Sequence, residues 1–197
     1  MEPKQSQMDG LTPPAAKQAA WLSLASIAGI LYFILAVALL HFLRPEYDPV
    51  KRVASNYAVG PYGLVMTIAF FALGLSLFAL AVGLYLGVDR TGRSGVGLLL
   101  LGVAGTGLVL SGIFPTDVTP DDSPITPVGG IHIASGVVAF ICLIVAAVLW
   151  SRRFQGNRKW QSFSRTSRRL AIVGLGSFIG FVLIKAMQLP LGGLAWL

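Results

Sequence analysis

The sequence predicts an all-α, polytopic transmembrane helix bundle, and three observations carry that prediction. The 197 residues are 55% hydrophobic and only 12% charged, about half the charge of an ordinary soluble domain. Mean hydropathy is +0.75. The few charges fall in islands between apolar runs of about 20 residues, each long enough to cross roughly 30 Å of hydrocarbon as a helix.

Five spans are expected: Trp21–Phe42, Gly63–Gly87, Gly95–Phe114, Gly129–Trp150 and Leu170–Leu189. Residues 1–20 read as a polar cytoplasmic leader holding Pro13 and Pro14, and residues 21–197 as a single bundle. The first span is too long for a signal-peptide core and its leader is weakly basic, so it is expected to be retained. No connection is long enough for a soluble domain. The tail Leu189–Leu197, "LPLGGLAWL", is apolar but too short to cross alone. It is expected to lie at the interface or to begin a sixth helix that the chain does not complete.

Charge sets the expected orientation. Lys4 and Lys17, Arg90 and Arg93, and the seven cations Arg152, Arg153, Arg158, Lys159, Arg165, Arg168 and Arg169 fall on one side. Against these eleven stand Arg44, Lys51 and Arg52, with Asp117, Asp121 and Asp122 of the third loop. The positive-inside rule then puts the N-terminus in the cytoplasm and the aspartates outside. The net charge of +7 is explained by this asymmetry, and no nucleic-acid partner is expected. The lone Cys142 excludes an internal disulfide and a cysteine-rich metal site.

Small residues four apart let membrane helices approach closely. Gly83–Gly87, Gly107–Ser111 and Gly176–Gly180 have this spacing, and the glycine-rich third span is expected to be central. Ionisable groups in a span need a partner or a wet cavity. His41, Asn56, Tyr57, Tyr62, Asp117, His132, Lys185 and Gln188 all fall toward the outer boundary and form the candidate ligand-binding cluster.

Four readings of this cluster compete. Ser135, His132 and Asp117 could form a hydrolase-like relay, although no nucleophile elbow surrounds Ser135. His41 and His132 could hold zinc with Asp117, or ligate a haem; no cofactor is otherwise expected. Alternatively Lys185 pairs with Asp117 and pins the third and fifth spans together. Finally, a lipid or amphiphile could bind at the rim. The basic segment Ser151–Arg169, with Phe154, Trp160 and Phe163 interleaved, could also rest on anionic headgroups.

The polar pattern resembles a known family. "HFLRPEYDP" (His41–Pro49), "VASNYAVGPYG" (Val53–Gly63), "GIFPTD" (Gly112–Asp117) and the histidine opening the fourth span resemble the bacterial and archaeal membrane family called domain of unknown function 998. The resemblance covers Trp21 to Leu194. It implies six transmembrane helices and brings no established activity. Family members usually carry Asp where this chain has Asn56, which cannot titrate, so acid chemistry there is not expected. A more distant similarity to ceramidase-like hydrolases lacks their several histidines.

Together these readings predict a non-enzymatic bundle that binds membrane lipids or serves as an accessory subunit of a membrane-protein complex. A lipid hydrolase of the outer leaflet is the alternative, and a haem- or metal-binding protein a further one.

Overall fold

In a computed structural model of the chain, residues 13–49, 51–119 and 122–187 are described. Five α-helices follow in order: α1 (Pro13–Leu43), α2 (Gly63–Gly87), α3 (Gly95–Ile113), α4 (Pro127–Gln155) and α5 (Gln161–Ala186). One 3-10 turn, Ala54–Ala58, lies between α1 and α2, and no strand occurs among the described residues. All five α-helices are long and apolar enough to cross a membrane. Gln188 and the tail, with the sixth helix expected there, lie outside the described residues.

Three helix ends depart from the expected spans. α1 begins at Pro13, eight residues before Trp21 and inside the expected leader. α4 runs from Pro127 past Trp150 to Gln155, and α5 begins at Gln161 well before Leu170. The basic connection therefore shrinks to residues 156–160. Hydropathy marks only the part of a helix that meets hydrocarbon. Proline is well suited to a first turn, and Lys, Arg and Gln are good helix formers, so the helices extend beyond the apolar runs.

Each helix packs along its neighbours in the chain, and close contacts give an antiparallel register throughout. Ala19 meets Gly87 across α1 and α2, and Gly74 meets Gly105 across α2 and α3. Gly107 meets Ser135 across α3 and α4, and the Phe140 and Phe178 rings stack 6.4 Å apart across α4 and α5. At two of these crossings the backbones touch. A methyl on Gly74 would stand 2.8 Å from the Gly105 carbonyl, and one on Gly107 would stand 2.6 Å from the Ser135 carbonyl. Glycine permits this approach, which membrane helices exploit because lipid supplies no hydrophobic force between them.

Of the three small-residue pairs, Gly107–Ser111 is thus a helix contact and Gly83–Gly87 faces α1 at ordinary distance. Gly176 and Gly180 face open space. α3 lies between α2 and α4, as its glycine content predicts. The array is open: α1 packs on α2 and the 3-10 turn, while α5 packs along α4. One end carries the long connections 44–62 and 114–126, the other the short ones 88–94 and 156–160.

Candidate functional site

The long-loop end gathers most of the predicted polar residues, each engaged in a particular way. Gly60 (φ +85°) and Tyr62 (φ 60°) turn the first loop through left-handed conformations. Gly60 takes this shape without strain, and Tyr62, half-exposed, caps α2. The loop is drawn down by Arg44, which is only 5% exposed. Its guanidinium donates to the Val59 and Pro61 carbonyls at 2.9 and 2.8 Å, pairs with Glu46, and lies 4.6 Å from the Tyr47 ring centroid. The hydrogen bond from Arg44 holds the Glu46 carboxyl below its ordinary range.

The turn places Asn56 and Tyr57 inside, 1% and 3% exposed. Tyr57 packs between the Tyr47 and His41 rings, and burial pushes its phenol up, with Arg44 opposing. Asn56 Nδ2 donates to Asp122 Oδ1 at 2.7 Å. Arg52 stands 3.6 Å from the same carboxylate and also donates to the Thr119 carbonyl. These contacts latch the first long loop onto the second.

Asp117 closes the base of the second loop. It accepts from the backbone N–H groups of Ile125 (2.9 Å) and Thr126 (2.8 Å) and from the Thr126 hydroxyl. Those bonds, the Thr126 N–H first, hold its carboxyl below the ordinary range. Thr126 in turn caps α4 by accepting from Gly129 N–H at 3.1 Å. A methyl on Gly129 would meet Asp117 Oδ2 at 2.2 Å, so only glycine fits there.

The hydrolase-like relay is not assembled. His132 Nδ1 lies 3.0 Å from the Ser111 carbonyl and 2.9 Å from that of Phe114. Two carbonyl acceptors require the proton on Nδ1. The ring is thereby committed to the end of α3, and it packs edge-on against Phe70. Ser135 Oγ donates to its own helix at the His132 carbonyl (2.9 Å) and faces Ser111 Oγ (3.0 Å). Asp117 is occupied at Thr126. Base, nucleophile and orienting acid therefore serve three separate structural contacts, because i+3 spacing on a helix turns Ser135 toward its own backbone.

The histidines are likewise not joined with Asp117. His41 Nδ1 donates to the Val37 carbonyl at 2.6 Å, and no group of three His, Cys, Asp or Glu side chains converges among the described residues. The Lys185 side chain and Gln188 lie outside the described residues, so the Asp117–Lys185 pair is not described. α5 packs along α4, with no comparable contact to α3 among the described residues.

Sequence reasoning missed three participants. Arg44 and Arg52 read as topology signals, and Asp122 as one of three loop aspartates, yet Arg44 and Asp122 are buried. The density of polar residues in "RPEYDPVKR" was the available signal. It also missed the short-loop end. There Asp89 accepts from Asn157 Nδ2 at 2.9 and 3.0 Å, from Thr91 and from Gly92 N–H, and Asn157 foremost holds its carboxyl below the ordinary range. Trp150, Phe154, Trp160 and Phe163 form a run of ring contacts beneath it.

Two concavities are apolar. A crevice of about 280 Å³ opens between α1 and α2 at the short-loop end, beside Ser23, Gly83 and Trp160. A wider groove of about 900 Å³ runs along α3 and α4, past Leu99, Gly102, Thr106, Ile131 and Val138.

Five helices, each long and apolar enough to cross a membrane, define a multi-pass α-helical membrane protein. The chain belongs to the family described as protein of unknown function (DUF998), whose model matches residues 27–197. No curated protein and no solved structure matches it.

Proposed function

We propose that this chain is a non-enzymatic bundle of the bacterial or archaeal cytoplasmic membrane that holds a lipid acyl chain along α3 and α4. Its N-terminus and arginine-rich end face the cytoplasm, and the latched loops face outward. The single observation that carries the reading is the groove of about 900 Å³, whose floor is lowered at Gly102. Its volume is at the upper end of small-molecule sites. Its lining is almost wholly apolar, which suits a chain of methylenes. The commitment of Asp117, His132 and Ser135 to loop and helix contacts supports binding over hydrolysis.

The same groove suits a partner's helix, the accessory-subunit reading, which the one-sided packing of α1 and α5 also supports. Native mass spectrometry of detergent-extracted protein separates the two by the mass retained. Gly102→Phe is the discriminating variant, since a Cβ there meets nothing within 4 Å and the ring is placed to occupy the groove. Loss of a retained lipid with unchanged thermal stability is expected. Retention equal to the wild type would refute the acyl-chain site, and a retained polypeptide in place of lipid would favour the subunit role.

A further inference from the structure

At the opposite end of the bundle, seven cations sit on a scaffold far stiffer than a topology signal requires. Arg152 and Arg153 occupy the last turn of α4, Arg158 and Lys159 the connecting turn, and Arg165, Arg168 and Arg169 the first turns of α5. The last three are spaced i, i+3 and i+4 and share a helix face. The α5 apolar run begins at Leu170, so they form a collar at one depth, where hydrocarbon gives way to headgroups.

Their positions are held from beneath. Ser151 Oγ donates to the Ser164 carbonyl at 3.0 Å, and Ser167 Oγ to that of Ala147 at 3.1 Å, binding α5 to α4. Asn157 anchors the turn to Asp89. Trp160 stacks on Phe154, with ring centroids 5.5 Å apart. Phe163 stays 56% exposed among the arginines, an apolar wedge at headgroup depth.

None of the seven is in an ion pair within 4 Å among the described residues. Asp89, whose charge reaches Lys159, already spends its oxygens on Asn157, Thr91 and Gly92. Orientation in the membrane needs only an excess of charge near the spans and no fixed arrangement. A row of exposed guanidiniums on a braced helix end, beside an exposed aromatic ring and outside any ion pair among the described residues, has the donor groups that recognise phosphate.

We infer that the joined ends of α4 and α5 form a binding platform for anionic phospholipid headgroups. This site is distinct from the groove and does not depend on it. The test uses the full chain in detergent, titrated with phosphatidylglycerol or phosphatidylcholine in mixed micelles and read by native mass spectrometry and thermal shift. Phosphatidylglycerol should be retained about tenfold over phosphatidylcholine at low salt, and 0.5 M salt should erase the preference, since such contacts are screened. The variant Arg165→Gln/Arg168→Gln/Arg169→Gln should lose it, while the corresponding Arg→Lys variant, which keeps the charge but not the guanidinium fork, should retain only part of it. Inorganic phosphate at equal concentration should produce no shift. Equal retention of both lipids by the wild type overturns the inference, as does a preference that survives high salt. Because the salt titration uses the wild type alone, the outcome stands even if the glutamine variant fails to fold.

Discussion

The two ends of the bundle solve one problem in opposite ways. Chain leaving a helix exposes backbone groups that need partners. At the long-loop end, polar side chains supply them: Arg44 serves the Val59 and Pro61 carbonyls, Asp117 the Ile125 and Thr126 N–H groups, and His132 the Ser111 and Phe114 carbonyls at the end of α3. At the short-loop end the connections are brief, Asp89 and Arg93 serve Gly92 N–H and the Val88 carbonyl, aromatic rings fill the space beneath, and the seven cations between Arg152 and Arg169 turn outward. Charge is mostly structural at one end and mostly available at the other. For this reason the polar cluster that looks catalytic in sequence is largely occupied, whereas the loop that looks like a bare topology signal has unspent valence.

The sharpest way to break this contrast is Asn56→Asp, which sets a second carboxylate against buried Asp122 in place of a 2.7 Å hydrogen bond. A loss of about 3 kcal/mol at neutral pH is expected, offset only in part by Arg52. Two adjacent carboxylates raise the apparent pKa of the pair above that of the unfolded chain. The penalty should therefore grow as pH rises through that raised value and fade on acidification. Thermal unfolding in detergent from pH 4 to 8 measures it; a variant as stable as the wild type at pH 8 would show that the latch is not closed in solution.

At the other end, Trp160→Ala removes the stack on Phe154 and the tilted contact with Phe163 and widens the crevice beside Gly83, for about 2 kcal/mol. Trp160→Phe should cost under about 1 kcal/mol, because the buried indole N–H has no partner among the described residues. If the two variants lose equal stability, the ring stack is not what supports that end.

Asn157→Ala should cost about 1 kcal/mol or less, since Asp89 keeps its bonds to Thr91 and Gly92 and is largely exposed. Fluorescence of Trp160, three residues away, offers a local readout of whether the turn loosens.

The smallest effect at neutral pH is expected for Asp117→Asn. The folded pKa of Asp117 is depressed, so its contribution is present above the ordinary carboxylate pKa and lost as pH falls through the depressed value. Wild-type stability should therefore decline on acidification more steeply than that of the variant. Parallel acid limbs for the two proteins would remove Asp117 from the capping role.

Much of this architecture was legible in advance, and residue chemistry explains which part. α2 was predicted to the residue because Gly63 and Gly87 coincide with changes in polarity. α5 was misjudged by nine residues at its start because arginine is as compatible with helix as leucine is, and hydropathy cannot see a helix standing in headgroups. His41, Asn56, Tyr57, Asp117 and His132 lie at one end of the bundle, as their positions in the sequence suggest, but their pairings were not foreseen. Asn56 was noted as a candidate ligand contact and for a proton it cannot lose, while its amide in fact binds Asp122.

The sequence by itself determined where the chain crosses the membrane and which connections share a side. Hydrocarbon sets a minimum apolar length and makes each charge costly, and both constraints act on one segment at a time. Only the tertiary structure decided which polar atoms are occupied. Asn56 meets Asp122 and Asp89 meets Asn157 across 66 and 68 residues of chain. A hydrogen bond closes or fails over a few tenths of an ångström, a precision that arises only when packed helices bring distant loops together.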